Sequence, residues 1–181
     1  MIINISGASG VGKSTLVARL ISFHPERYTR LVTYTTRLIR PEEIDGISYH
    51  FVDAGKLQGD EYILKRIREE GMYAVKRTDL EMEGQKRLLT TFPPRGVSKL
   101  EALGYEVMCF HLHLDEMCRL HRMSKRGDGI QVATQRIVLD REESTIDVAR
   151  RILTRGRIHV LDARNSIEEL ATDLDRIVRC I

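Results

Sequence analysis

Residues 7–14, Gly7-Ala8-Ser9-Gly10-Val11-Gly12-Lys13-Ser14, concentrate the clearest chemistry in the chain. They meet the spacing GxxxxGK[ST] at every fixed position, and they lie between an apolar run at residues 2–5 and a helical pattern that starts at Ser14. Glycine lets the backbone turn tightly enough for successive N–H groups to point inward as an anion nest. The helix that follows adds its positive end. Lys13 can reach β- and γ-phosphates, and the Ser14 hydroxyl can ligate Mg²⁺. These residues, with Thr15, are therefore expected to bind ATP as its Mg²⁺ complex, with Lys13 catalytic and Ser14 the metal ligand.

A second set of residues suits an anion of another kind. Residues 33–52 place Thr33, Thr36, Arg37, Arg40, Glu43, Gly46, Tyr49 and Phe51 in the pattern S-x-x-T-R-x-x-R-x-x-E-x-x-G-x-x-Y-x-F, with threonine at the first position. Here the chain resembles the guanylate kinases, and the resemblance extends along nearly its whole length. It implies that Thr33, Arg37, Arg40, Tyr49 and, by spacing, Tyr73 hold the phosphate of an acceptor monophosphate. The chemistry agrees, because guanidinium forks and phenols together can grip a phosphate dianion. Two arginines three apart on their own would equally suit a solvated face. Further along, Arg122, Arg126-Gly127 and Arg136 resemble the family's lid pattern, R-L-x-x-R-G followed by R. Such a lid brings cations to the charge spread over a moving phosphoryl group and keeps water out. The resemblance gives Arg122, Arg126 and Arg136 catalytic roles.

The match fails where the family reads the base. Leu64 falls where a glutamate is expected, and it cannot accept a hydrogen bond. Glu61 is expected to face the other side of its strand unless a bulge intervenes. The family's second acidic stretch appears as residues 88–96 with Thr91 and Pro93 in place of its acids, and Val75 replaces a serine. The acceptor is then GMP, the first candidate, or another phosphorylated small molecule, as in the ribosyl bisphosphate kinases. A guanylate kinase-like module that binds phosphorylated ligands without catalysis is the alternative of another class. Asp115 and Asp162, each ending an apolar strand, are the candidates to replace the missing acid near Mg²⁺. His111 and His113 share a strand face, and Cys118 and His121 lie three apart on a helix, but neither pair has an evident third metal ligand.

The elements that must position these groups alternate between strand and helix. Strands are expected at residues 2–5, 87–92, 105–114 and 158–161, and helices from Ser14 to His24, over residues 97–103, from Asp115, over residues 132–153 and over residues 166–178. Residues 61–68 alternate, with Tyr62 and Leu64 expected on one face and Ile63 and Ile67 on the other. Pro41 and Asp45-Gly46 mark turns before a hairpin-like unit at residues 48–52. The expected fold is α/β: a P-loop NTPase with a parallel sheet between helical layers, a small β-rich acceptor-binding insert and a helical lid. Its parts are a core (1–32, 78–118, 145–181), an insert (33–77) and a lid (119–144). With 181 residues, one domain is expected, able to bury about 70% of its unfolded surface. A net charge of +3 is too mild to point to nucleic acid. No apolar run has membrane-spanning length. Cys109, Cys118 and Cys180 form no CxxC pair, and the N-terminus lacks the pattern of a signal peptide, so a cytoplasmic protein is expected. The oligomeric state is not legible from these features.

Overall fold

The computed structural model describes residues 1–40, 43–68, 70–81, 86–153 and 158–180. In chain order the elements are β1 (Ile2–Ser6), α1 (Lys13–Phe23), β2 (Tyr28–Arg30), β3 (Tyr34–Thr35), β4 (His50–Phe51), a 3-10 turn (Ala54–Gln58), β5 (Tyr62–Arg68), β6 (Gly71–Lys76) and α2 (Arg77–Leu80). They continue with β7 (Arg87–Thr90), α3 (Pro94–Ala102), β8 (Val107–His113), α4 (Glu116–Lys125), α5 (Ile130–Glu143), α6 (Ile146–Ile152), β9 (Ile158–Asp162) and α7 (Ile167–Arg179). The chain divides into two compact units, Met1–Thr29 with Lys86–Ile181, and Arg30–Gln85.

In the larger unit five strands lie in the order β2-β7-β1-β8-β9, and β1 pairs in parallel with both β7 and β8, as β8 does with β9. Every residue of β1 is buried, as are all but the last of β8. Strands buried on both faces read as continuous apolar runs, which is why residues 2–5 and 105–114 stand out in the sequence. Ile3 and Ile5 share a face with their partners Met108 and Phe110, and this face packs against Leu16, Val17 and Leu20 of α1 and Leu170, Leu174 and Val178 of α7. On the other face, α3 and α6 pack together and both touch β8. Polar groups on that face pair internally. Asn4 accepts from the Thr90 hydroxyl at 2.8 Å and the Phe92 N–H at 2.7 Å, and its amide donates to the Phe92 carbonyl at 3.1 Å. The result is an α/β P-loop NTPase fold, as the alternation of strands and helices implies. No helix among the described residues is long and apolar enough to cross a membrane.

The smaller unit holds a four-stranded sheet in the order β4-β3-β6-β5. Three expectations change here and in the last third of the chain. β3 and β4 pair in parallel, with Tyr34 opposite His50, so residues 48–52 do not form a hairpin with the preceding strand. Pro41 lies outside the described residues. The alternation along β5 is broken by a bulge between Ile63 and Arg66. Ile63 pairs with Val75 and Arg66 with Tyr73, which puts Ile63 and Arg66 on one face and leaves Tyr62 and Ile67 on the other. The helix expected over residues 132–153 is two helices. Thr145 caps α6, its hydroxyl accepting from the Val148 N–H at 3.3 Å, because serine and threonine compete for backbone groups and favour helix starts.

α7 is tied to the sheet by a buried charge. The Asp175 carboxylate accepts from the Tyr28 hydroxyl at 2.7 Å and from Arg27 Nη1 at 2.9 Å through each oxygen, and Arg179 Nε lies 3.1 Å away. Burial raises its pKa, but the Tyr28 hydrogen bond and the charges of His24, Arg27 and Arg179 outweigh this and hold it below the usual value. Removing the carboxylate strands a buried phenol and its arginines. Asp175→Ala is expected to lower the unfolding free energy by about 3–5 kcal/mol, measured by denaturant titration.

Candidate active site

In the larger unit the phosphate loop runs from the end of β1 to the head of α1, and Gly7, Gly10 and Gly12 all adopt positive φ. At Gly10 (φ 77°) this conformation coincides with a close approach: a Cβ there would sit 2.8 Å from the Arg119 carbonyl oxygen of α4. The loop thus packs directly on α4, which its N-cap Asp115 begins by accepting from the Cys118 N–H at 2.8 Å. From α4, Arg122 donates to the Val11 carbonyl at 3.2 Å and to the Ala163 carbonyl at 2.9 Å. Lys13 folds back over the loop, its Nζ 2.8 Å from the Gly7 carbonyl and 2.9 Å from that of Ala8. Enclosure lowers the Lys13 pKa to about 8; the Asp140 charge opposes this, and Arg119 and Arg126 add to it. Ser14 and Thr15 are exposed in the first turn of α1, where helix N–H groups have no intrahelical partner.

The other two arginines expected in a lid are arranged differently. Arg126 and Arg136 both pair with Asp128, the latter at 3.1 Å. A single carboxylate thus gathers both cations. The acids expected to serve Mg²⁺ have other partners. Asp115 caps α4, and Asp162 accepts from Arg164 Nε at 2.9 Å, which brings its pKa down to about 2. Asp140 is the carboxylate on the loop, and it accepts from the Ser9 N–H at 2.7 Å. Sequence reading missed it because one acid within a long helical pattern looks like part of a solvated face. Among the described residues no group of three or more His, Cys, Asp or Glu side chains is placed to hold a metal ion.

In the smaller unit Arg37 is the centre of a cluster. Its side chain is 6% exposed and meets Glu43 through Nη1 at 2.9 Å and Nη2 at 2.7 Å. Its Nε donates to the Tyr73 hydroxyl at 3.2 Å, and its guanidinium lies 5.3 Å from the Tyr49 ring centroid. The Glu43 hydrogen bond is the main cause of a raised Arg37 pKa. Arg40 donates to Glu70 at 2.7 Å, and the Tyr49 and Tyr73 rings meet edge to face at 5.8 Å. Gly71 (φ 149°) allows this packing: a Cβ there would lie 2.7 Å from the Arg37 backbone nitrogen. Arg37, Arg40, Tyr49 and Tyr73 therefore come together, joined by Glu43 and Glu70. Thr33 lies alongside, its carbonyl accepting from the His50 N–H at 2.9 Å.

Comparison with known proteins bears on both halves. The family model described as guanylate kinase matches residues 1–86. The first 86 residues of this chain are thus similar to the guanylate kinases. The chain is 32% identical over 113 residues to a guanylate kinase of Nostoc, a match covering 51% of this chain and 55% of that one. It is 48% identical over 54 residues to guanylate kinase 1 of rice, covering 30% of this chain and 14% of the relative. These matches span from about a seventh to about half of the relatives' length. The crystal structure of guanylate kinase from Anaplasma phagocytophilum superposes with a TM-score of 0.65 over 99% of this chain and 85% of that one, at 21% identity, a likeness of fold.

Leu64, Val75 and Pro93, where the sequence departs from the guanylate kinase pattern, have these surroundings. Leu64 adopts φ 53° inside the β5 bulge, a conformation uncommon outside glycine and asparagine. The bulge carries Arg66 to the face of Tyr73, which no alternating strand would do. Val75 is buried opposite Ile63, and Pro93 is the N-cap of α3.

Two predictions follow from this geometry. Gly10→Ala is expected to weaken ATP binding at least tenfold, measured by calorimetric titration, because the methyl meets the Arg119 carbonyl in a backbone conformation that alanine disfavours. The second concerns His111, buried beneath the loop with Nδ1 3.0 Å from the Ser6 hydroxyl. Burial, with lesser contributions from His113, Lys13 and Arg150, lowers its pKa from 6.5 to about 4. The unfolded imidazole takes up a proton near pH 6.5 that the folded one refuses. Its contribution is complete above that pH and is lost as pH falls towards 4, by about 3 kcal/mol. Unfolding titrations across pH 4–7 are expected to show this loss in the wild type and a shallower one in His111→Asn.

Proposed function

We propose that the chain is an ATP-dependent kinase that transfers the γ-phosphoryl group to a small phosphorylated acceptor, with GMP the first candidate. The observation that carries this reading is the Arg37–Tyr49–Tyr73 cluster, a guanidinium beside two phenols in a chain that also holds a complete phosphate-loop motif. The loop residues fit a triphosphate: glycines supply the turn, Lys13 the cation and the head of α1 the unpaired N–H groups. An acceptor phosphate oxygen would attack the γ-phosphorus as the bond to the β,γ-bridging oxygen breaks, giving ADP and an acceptor with one more phosphoryl group. Lys13 would hold the β- and γ-phosphates. Arg122, Arg126 and Arg136 would offset charge on the equatorial oxygens, the latter two on release from Asp128. Arg37, Arg40, Tyr49 and Tyr73, with Thr33 beside them, would orient the acceptor. Mg²⁺, held by the Ser14 hydroxyl and the phosphates of ATP, would supply further charge neutralisation.

A second acceptor class has its own support. The β5 bulge sets Arg66, a cation, opposite Tyr73, and the Leu64 side chain offers no acceptor for a guanine N–H. A site without that partner discriminates weakly for the base. A phosphorylated sugar such as ribose bisphosphate is therefore the second reading.

The test is ADP release with ATP–Mg²⁺ and GMP, dGMP, AMP, CMP, UMP, dTMP or ribose bisphosphate. Turnover of at least one acceptor is expected, falling about a hundredfold or more in Lys13→Ala. Turnover of GMP alone assigns the nucleotide acceptor, and turnover of ribose bisphosphate assigns the second reading. Tight ATP binding with no turnover of any acceptor moves the weight to the non-catalytic, phospholigand-binding module.

A further inference from the structure

Asp140 is a buried acid on α5, and its side-chain hydrogen bonds converge on one residue of the phosphate loop. Its Oδ2 accepts from the Ser9 N–H at 2.7 Å, and its Oδ1 from the Ser9 hydroxyl at 3.3 Å. Arg119 of α4, 5% exposed, donates one Nη1 to Asp140 Oδ2 at 3.1 Å and to the Ser9 carbonyl at 3.4 Å. An ion pair drawn from two helices thus holds Ser9 by its N–H, its carbonyl and its hydroxyl. We propose that Asp140 is a positioning residue for nucleotide binding: with Arg119 it locks Ser9, and through Ser9 it sets the phosphate loop in the conformation that receives a triphosphate. The inference rests on the loop's role as the ATP site.

The physical case has three parts. A loop with three glycines at positive φ loses much backbone entropy when ordered, so affinity depends on its being ordered before the ligand arrives. The lock orders it with charge-assisted hydrogen bonds, which are stronger than neutral ones. It also turns the Ser9 N–H away to a carboxylate, and the Val11 N–H is taken by the Ala8 carbonyl at 3.4 Å. The N–H groups at the head of α1 have no intrahelical partner and stay turned to a ligand. Electrostatics acts in both directions: removing the carboxylate takes negative charge from a triphosphate site, and it also removes the support that Asp140 gives the Lys13 charge. Hydrogen exchange at the Ser9 amide therefore separates positioning from simple charge.

The experiment compares three chains: wild type, Asp140→Asn, and the double variant Arg119→Met/Asp140→Ala. The double variant replaces the buried pair with apolar groups, a change that preserves folds elsewhere, whereas a half-broken pair destabilises. ATP affinity is read by calorimetric titration at a temperature where all three are folded. Thermal unfolding and amide hydrogen exchange at Ser9 are read on the nucleotide-free proteins. The expected result is ATP binding about tenfold weaker in both variants, with the Ser9 amide protected in the wild type and exchanging faster in both. The unfolding midpoint falls in Asp140→Asn and recovers in the double variant. A double variant that recovers ATP affinity along with stability overturns the proposal in favour of a purely structural pair. Tighter binding in Asp140→Asn overturns it in favour of a carboxylate that competes with phosphate. Equal binding in all three overturns the inference alone, and a wild type that binds no nucleoside triphosphate overturns both the inference and the kinase reading beneath it.

Discussion

The first turn of α1 ends a helix whose leading N–H groups have no partner inside it, and the larger unit is built around presenting that end. The wholly buried β1 delivers the chain to this point, flanked in parallel by β7 and β8. A crossover within a parallel sheet requires a helix, so the loop between β1 and α1 lies at the carboxyl edge of the sheet, where α/β folds bind ligands. An anion is the natural complement to such an end.

Charges in this protein are handled by pairing them locally with carboxylates. Arg37 is matched by Glu43, Arg40 by Glu70, Arg126 and Arg136 by Asp128, and Arg119 by Asp140. A buried guanidinium without a partner would be costly, and the pairs of Arg37 and Arg119 remove that cost before any ligand arrives. The pairs also set the competition that an incoming phosphate meets. Where a carboxylate is exposed, as Glu70 is, a phosphate can take over its arginine. Where it is enclosed, as Asp140 is, the pair acts as part of the frame.

The guanylate kinase-like character is spread unevenly. The family match ends at residue 86, and up to there the fixed glycines, Lys13, Arg37, Arg40 and Tyr49 were readable as a pattern. They were readable because phosphate binding requires particular residue types at particular spacings. Arg122 was expected in a lid on resemblance alone, and its hydrogen bonds to the Val11 and Ala163 carbonyls depend on how α4 lies on the loop. Asp115 and Asp162 were reasonable substitutes for the missing acid by position. A helix cap and a neighbouring arginine engaged them instead.

The sequence by itself determined the strand–helix alternation and the phosphate-loop motif, because these follow from short-range periodicity and local spacing. Only the tertiary structure decided the parallel pairing of β3 with β4, the β5 bulge and the place of Asp140. Pairing direction and register are set by which strands meet, and an extra residue in β5 reverses the faces of all that follow. Asp140 is a single acid within a helical pattern. What makes it part of the loop is the packing of α4 and α5 on Ser9, a contact between residues 131 positions apart in the chain.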